Sequence, residues 1–231
     1  MSRLLKTLRN LENKQPLYSR EVVILFTPAI TKDRFDKEKK NSWLSFATIK
    51  KEFVLTQTRF NNTWEHYRTK VIHPIVDYLT FLENNSEAKL TIDATYKDFQ
   101  SYFTNPEIKL LILVAHHIQQ DGISAIEFAD SPIPSIELQQ YIKQYQSDNP
   151  TSLMLIVCDT SKTSKGLYSS VNINSIFWAS WKMPLIGGMN YIATFVSLLD
   201  SSVTTLSDAH HQAIQLIVNS FNVNNSDEAT K

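Results

Sequence analysis

Two apolar runs decide the fold: LLILVA at 110–115, which leads into His116 and His117, and LMLIV at 153–157, which leads into Cys158. Short continuous apolar runs with β-branched side chains are typical of strands buried on both faces of a parallel sheet. A helical stretch separates the two runs, so we expect them to be neighbouring central strands. Open α/β sheets place their ligands at the carboxyl ends of the strands. The sequence therefore predicts an imidazole and a thiol within hydrogen-bond reach at one edge of the sheet.

Predicted strands and helices alternate along the rest of the chain. Further strands are predicted at 21–28, 89–94 and 176–181, with a β-hairpin at 122–130. Helices are predicted at 43–82 with a kink or break at Pro74, at 96–103 after a Thr95 cap, at 136–145 after a Ser135 cap, at 189–199 and at 208–223. This alternation predicts a three-layer α/β/α sandwich with a mainly parallel central sheet. We expect residues 1–20 to be a polar lead-in, 21–223 to be one domain and 224–231 to be a flexible tail.

Composition limits the classes of partner and cofactor. The chain has 231 residues, of which 42% are hydrophobic, so it can bury one substantial core. Lys and Arg balance Asp and Glu at 23 each, and we therefore predict neither nucleic acid nor a membrane as a partner. No run approaches the roughly 20 apolar residues that cross a bilayer. The four glycines form no phosphate-binding loop, so we expect no cofactor.

The chain has a single cysteine, Cys158. It has no partner for a disulfide within the chain, which fits a reducing compartment and predicts a cytoplasmic protein. A thiol with a pKa of about 8.5 is partly ionised at neutral pH and is an effective nucleophile. A cysteine at the end of an apolar strand is also often an inert core residue. The histidines that follow the neighbouring strand favour the nucleophile.

Two residues compete for the role of base beside the thiol. We prefer His116, and His117 remains open because a shift of one residue exchanges the two. A zinc site made of both histidines and Cys158 is disfavoured, because adjacent side chains on a strand point to opposite faces. We therefore predict no metal.

The order of these elements, and several of their letters, point to a family. A strand that ends in histidine is followed by a hairpin carrying EFAD at 127–130, a helix, and an apolar strand that ends in CDTS at 158–161. A tryptophan-bearing strand at 176–181 and a helix through 207–213 come next. In this order, from 22 to 221, the chain resembles the caspase-like cysteine peptidases, and among them the bacterial CHAT group.

The resemblance implies a cysteine endopeptidase in which the Cys158 thiolate attacks a peptide carbonyl and His116 moves the proton. The backbone amides of His117 and Cys158 would hold the oxyanion. The family usually has glycine at the position of His117, and this departure puts efficient proteolysis in doubt. The resemblance further implies a protein or peptide substrate, a regulatory protein partner, and a role in a bacterial regulatory or defence system.

Walls near Trp178, Ser180 and Trp181 are expected to shape the substrate pocket. Asp130 or Asp159 would favour a basic substrate residue by charge pairing.

Two other functions are compatible with the same sequence. The histidine in place of glycine favours a catalytically inactive member of the fold that acts as a binding or scaffold module. A flavodoxin-like regulatory domain is the third hypothesis, although the early strands supply no acidic phospho-acceptor cluster.

Overall fold

A computed structural model of the chain describes residues 6–7, 16–41, 63–120, 123–145, 151–157, 167, 173–178, 185–199 and 205–228. Its strands are β1 (Lys6–Thr7), β2 (Val22–Phe26), β3 (Lys89–Ile92), β4 (Leu110–Gln120), β5 (Ile123–Glu127), β6 (Pro132–Pro134), β7 (Thr151–Val157) and β8 (Ile173–Trp178). Its helices are α1 (Lys32–Asn41), α2 (Trp64–Tyr67), a π-helical segment (Arg68–Ile72), α3 (His73–Asn85), α4 (Tyr96–Phe103), α5 (Ser135–Gln144), α6 (Leu185–Ser197) and α7 (Leu206–Glu228), with a 3-10 turn at Ser19–Glu21.

The strands form an open, mostly parallel sheet in the order β1-β8-β7-β4-β2-β3. Neighbours from β8 to β3 are parallel, and β1 pairs antiparallel with β8. The prediction that the two apolar runs are neighbouring parallel strands is confirmed, since Ala115 of β4 is in register with Val157 of β7. The mixed α/β class is confirmed as well.

β4 changes partners along its length. From Leu110 to Ala115 it lies between β2 and β7 in the parallel sheet. From His116 to Gln120 it pairs antiparallel with β5, which in turn pairs with β6. The expectation that this strand ends at the histidines was therefore wrong, because β4 continues by pairing with β5. The hairpin expected within 122–130 was wrong as well, since the described part of that segment contains one strand, β5, which pairs with β4 and β6. His116 occupies the position where one set of partners gives way to the other.

The side chains of the parallel strands fall into two buried clusters, as expected for strands with apolar residues at every position. Even-numbered residues of β4, such as Ile112, pack with residues of α3, α6 and α7. Odd-numbered residues, such as Leu113, pack with α4, α5 and the buried Leu167. Apolar side chains therefore fill both faces of the parallel strands. Polar side chains that could bind a ligand are expected at the strand ends.

Two predicted helix signals have different outcomes. Thr95 caps α4, because its hydroxyl accepts from the N–H of Asp98 while the Asp98 carboxylate accepts from the N–H of Thr95. This capping box lowers the pKa of Asp98. The Ser135 cap was wrong: Pro134 is the N-cap of α5, and the Ser135 hydroxyl is directed to Ser124.

Pro74 does not end its helix. The N–H of His73 donates to the carbonyl of Arg68, five residues back, in the widened π-helical segment that joins α2 to α3. Pro74 then lies in the first turn of α3. A proline lacks the N–H that an uninterrupted α-helix requires and its ring crowds the preceding turn, and a local π turn is a common adjustment. Residues 43–62 of the predicted helix lie outside the described residues.

Several element limits differ from the predicted ones. β8 is Ile173–Trp178 where 176–181 was expected, and α6 begins at Leu185 where 189 was expected. α7 extends to Glu228 where 223 was expected. Helix ends are the least certain part of a periodicity argument, because the terminal turns carry the weakest apolar signal.

Candidate functional site

Two residues with potentially reactive side chains come directly after the last paired residues of two neighbouring parallel strand segments. Ala115 and Val157 are in register across β4 and β7. His116 is the next residue after Ala115, and Cys158 is the next after Val157. Cys158 and Asp159 lie outside the described residues.

His116 lies directly across from Glu127 in the antiparallel pair of β4 and β5. The Nε2 atom of His116 and the Oε2 atom of Glu127 are both buried, and Glu127 as a whole is 4% exposed. Burial, and then the positive charge of Arg34, lower the pKa of His116 to about 4. The imidazole is therefore neutral at pH 7, and a neutral imidazole has one ring nitrogen that accepts a proton. This is the protonation state that a general base requires.

Arg34 of α1 connects three loops at the carboxyl ends of the strands. Its Nε donates to Oδ1 of Asp93 at 3.2 Å, its Nη1 to the carbonyl of Ala129 at 3.0 Å and its Nη2 to the carbonyl of Thr27 at 3.0 Å. The side chain is 14% exposed. A planar guanidinium has donors in a fixed fork and suits such a three-way contact. Arg34 thus joins the chain after β2, after β3 and after β5, and it brings its charge close enough to act on His116.

Asp93, which binds this guanidinium, has an unusual backbone conformation. It has a φ of 53°, in the left-handed region that asparagine and aspartate adopt more readily than other non-glycine residues. The N–H of Ala94, the next residue, donates to the carbonyl of Phe26, and the carbonyl of Ala94 accepts from the N–H of Ala129. These main-chain bonds and the ion pair with Arg34 hold the segments after β3 and β5 side by side.

His117 has a different set of contacts from His116. Its Nε2 lies 2.6 Å from the hydroxyl of Ser124, which lies 3.1 Å from the hydroxyl of Ser135. Successive residues of a strand point to opposite faces, so this hydroxyl chain and the His116 ring are on opposite faces of the β4–β5 pair. The His117 ring therefore serves the packing of β5 against α5.

Asp130 and Trp178 are the described members of the predicted substrate-binding set. Asp130 is exposed, and its Oδ1 accepts from the N–H groups of Tyr96 at 3.2 Å and Ser131 at 3.1 Å. Asp130 therefore supports the start of α4. Trp178 is the last residue of β8, where its backbone is in register with Leu155 of β7. Ser180 and Trp181 lie outside the described residues.

Two residues at this edge were not predicted from the sequence. The sequence predicts Glu127 only as part of the hairpin, although a carboxyl between Ile126 and Phe128 in a strand is a signal of a buried acid. Arg34 lies in the charged segment 31–41, where nothing distinguishes it from its neighbours. Its role depends on tertiary contacts with residues 59 and 95 positions away.

Comparisons with known proteins add no family. No protein-family model matches the chain, and no curated protein matches it. Across the described ranges, no group of three His, Cys, Asp or Glu side chains is arranged to hold a metal ion. In the same part of the chain, no helix is both long and apolar enough to cross a membrane.

Proposed function

We propose that the protein is a cysteine endopeptidase of the caspase-like type, with Cys158 as nucleophile and His116 as base. The observation that carries the proposal is the register of Ala115 with Val157, since the two reactive residues come next in the chain on neighbouring parallel strands. Adjacent strands are about 4.8 Å apart, so a thiol and an imidazole that leave such a pair at the same level are within reach of each other. Carboxyl ends of parallel strands are also where α/β sheets bind their ligands.

The reaction begins with a neutral imidazole and a thiol. His116 takes the proton of Cys158 as the sulfur forms a bond to the peptide carbonyl carbon, and the carbonyl π electrons move to the oxygen. When the C–N bond breaks, His116 gives this proton to the leaving amine, and an acyl thioester remains. Water then attacks the thioester with His116 as base, which releases the acid and restores the thiol. A positioned base of this kind contributes typically about 100-fold to 10000-fold.

The low pKa of His116 favours this general-base form of the mechanism over a preformed thiolate–imidazolium pair. Burial and the Arg34 charge keep the His116 ring neutral before the reaction. The ring gains a proton only when the thiol transfers it during attack. The second proposed base, His117, is less well suited, because its Nε2 already contacts the hydroxyl of Ser124.

The architecture supports the same proposal. Buried clusters on each side of the sheet, one involving α3, α6 and α7 and the other α4 and α5, are what a three-layer α/β/α sandwich requires. The single cysteine fits a cytoplasmic setting, in which a free thiol stays reduced. We include both in the proposal.

The test uses the fact that the chain has one cysteine, so every thiol label reports on Cys158. A panel of peptidyl acyloxymethyl ketones with different P1 residues is incubated with the protein at pH 7, and labelling is followed by intact mass. We expect a subset of the probes to label the folded protein. We expect no probe in this subset to label the urea-unfolded protein at the same rate. Equal labelling of folded and unfolded protein by every probe would contradict the proposal.

One observation favours the inactive binding module instead. His117 occupies the position of the oxyanion-hole glycine and is part of the β4–β5 ladder, opposite Ile126. A residue fixed in a ladder has less freedom than glycine to turn its N–H towards a substrate. A folded protein that binds a peptide probe reversibly and never forms the covalent adduct would support this second function.

A further inference from the structure

We propose that Glu127 is the positioning residue of the site: its carboxylate orients the His116 imidazole and balances the positive charge that the ring gains during attack. The inference rests on the proposed function, because it assigns a role within the same site. Directly opposite residues of an antiparallel pair have Cβ atoms about 4.5–5.5 Å apart and side chains on the same face. Glu127 and His116 are such a pair.

Burial makes this pairing unusual. Glutamate is almost never fully buried unless it is paired, yet Glu127 is among the few buried charged residues of the described chain. The next positions on the same face, Ala125 and Ile118, are paired with each other and are also buried. The carboxyl group therefore lies between an apolar pair on one side and the end of the parallel sheet on the other. In such surroundings a carboxylate interacts strongly with a charge on the neighbouring ring.

An acid opposite the ring would offset the effect of Arg34 on His116. Arg34 acts on His116 from α1 and opposes protonation of the ring. Asp93 forms an ion pair with Arg34 at 3.2 Å from the segment after β3. Among the residues that the structure describes, the charged groups at this edge include Arg34 from α1, Asp93 after β3, and Glu127 and Asp130 from β5 and the segment after it. Glu127 alone of these is directly opposite His116 in a strand pair.

The test compares two substitutions of one side chain. Glu127→Gln keeps the shape and removes the charge, whereas Glu127→Asp keeps the charge on a shorter arm. Labelling rates of Cys158 by a reactive probe are measured from pH 3.5 to 8. For Glu127→Gln we expect a rate 10-fold to 100-fold lower, with the acid limb moved to lower pH, because a ring without its anion is a weaker base. For Glu127→Asp we expect a smaller loss and an acid limb close to that of the wild type.

The matched control is Ser124→Ala on the same strand. Ser124 faces the other side of β5, contacts His117 and does not contribute to the proposed site. We expect a labelling rate within about 2-fold of the wild type and the same acid limb. If Glu127→Gln behaves like this control while His116→Gln abolishes labelling, the role of Glu127 is refuted and the peptidase proposal stands. If His116→Gln labels as fast as the wild type, the peptidase proposal itself fails.

A measurement on the wild-type protein covers the case in which Glu127→Gln does not fold. Imidazole nitrogen chemical shifts across the same pH range report which nitrogen of His116 carries the proton. A carboxylate partner fixes one tautomer, so one nitrogen keeps its proton throughout and only the other titrates. Two nitrogens that titrate together as an averaged tautomer mixture would overturn the proposal.

Discussion

The two most strongly shifted histidines lie in contrasting regions, His116 at the carboxyl edge of the sheet and His210 in α7 of the helical layer. Burial lowers the pKa of each to about 4. His210 is 5% exposed and its Nδ1 lies 2.8 Å from the hydroxyl of Tyr191 in α6. His116 lies opposite a buried glutamate within β4, the strand beside the one that leads to the cysteine.

The contrast teaches that a low histidine pKa does not by itself identify a reactive site. After burial, the second cause of the lowered pKa of His210 is the neighbouring His211. The ring of His210 contacts the Tyr191 phenol, whose pKa is raised by burial, so the phenol stays protonated. Such a pair satisfies two buried polar groups between helices. Around His116 the second influence is a guanidinium, and an acid lies across the strand pair. The surroundings, and not the shift, separate catalysis from packing.

Replacing each histidine by glutamine should give the largest difference between the two regions. His116→Gln should lower the rate of probe labelling at Cys158 by about 100-fold to 1000-fold, because the thiol loses its base. His210→Gln should leave the rate within about 2-fold. His211→Gln, next to it and exposed, is the matched control for the helix. Equal losses for His116→Gln and His210→Gln would show that both act only through stability.

The pH dependence of stability should be shared by the two histidines. Above pH 6.5 both are neutral in the folded and unfolded states. Between pH 6.5 and about 4 the unfolded chain binds protons that the folded chain does not, so stability falls as the pH falls, and the slope ends when the folded histidines also protonate. Each accounts for about 3 kcal/mol at the acid end of this window. The lowered pKa of Asp98 acts at lower pH, below the ordinary aspartate pKa of 3.8.

Urea unfolding of the wild type and of His210→Gln at pH 7, 6, 5 and 4.5 measures this effect. The variant should lose about half of the acid dependence, since one of two shifted groups is gone. An unchanged slope would mean that His210 is not buried as described.

The smallest effect concerns the partner of His210. Tyr191→Phe removes the hydroxyl and leaves Nδ1 of His210 without this hydrogen bond, which should cost about 1–3 kcal/mol in the free energy of unfolding at pH 7. Probe labelling of Cys158 should not change. Thermal and urea unfolding measure the change in stability, and intact mass measures the rate of probe labelling. A Tyr191→Phe protein that is as stable as the wild type but labels slowly would reverse the assignment of the two regions.

The sequence predicted the structure best where the burial of apolar side chains alone determines it. The runs 110–115 and 153–157 are apolar at every position, and burial on both faces of a parallel sheet is the simplest way to satisfy them. The polar part of β4 was less predictable, because its pairing with β5 depends on the hairpin register. The residue opposite His116 follows from that register alone, so the relation to Glu127 could not be seen beforehand.

Side chains whose hydrogen-bond partners lie far away in the sequence were the least predictable. Thr95 forms its cap with Asp98 three residues away, and local spacing was enough to find it. Ser135 has the same local signal, but a tertiary contact with Ser124 takes its hydroxyl. Arg34 is in the same class as Ser135, since its three partners belong to other segments of the edge.

The outer strands of the sheet bear on how this protein meets other chains. Beside β8, the described residues Lys6 and Thr7 of β1 pair antiparallel with it. At the other border β3 has only four residues and begins with Lys89, whose ammonium lies over the Tyr102 ring. Short borders with a charged residue discourage another chain from adding a strand by main-chain pairing, which is how unprotected sheets aggregate. The protein can therefore carry long, wholly apolar inner strands and still resist growth of the sheet from one molecule into the next.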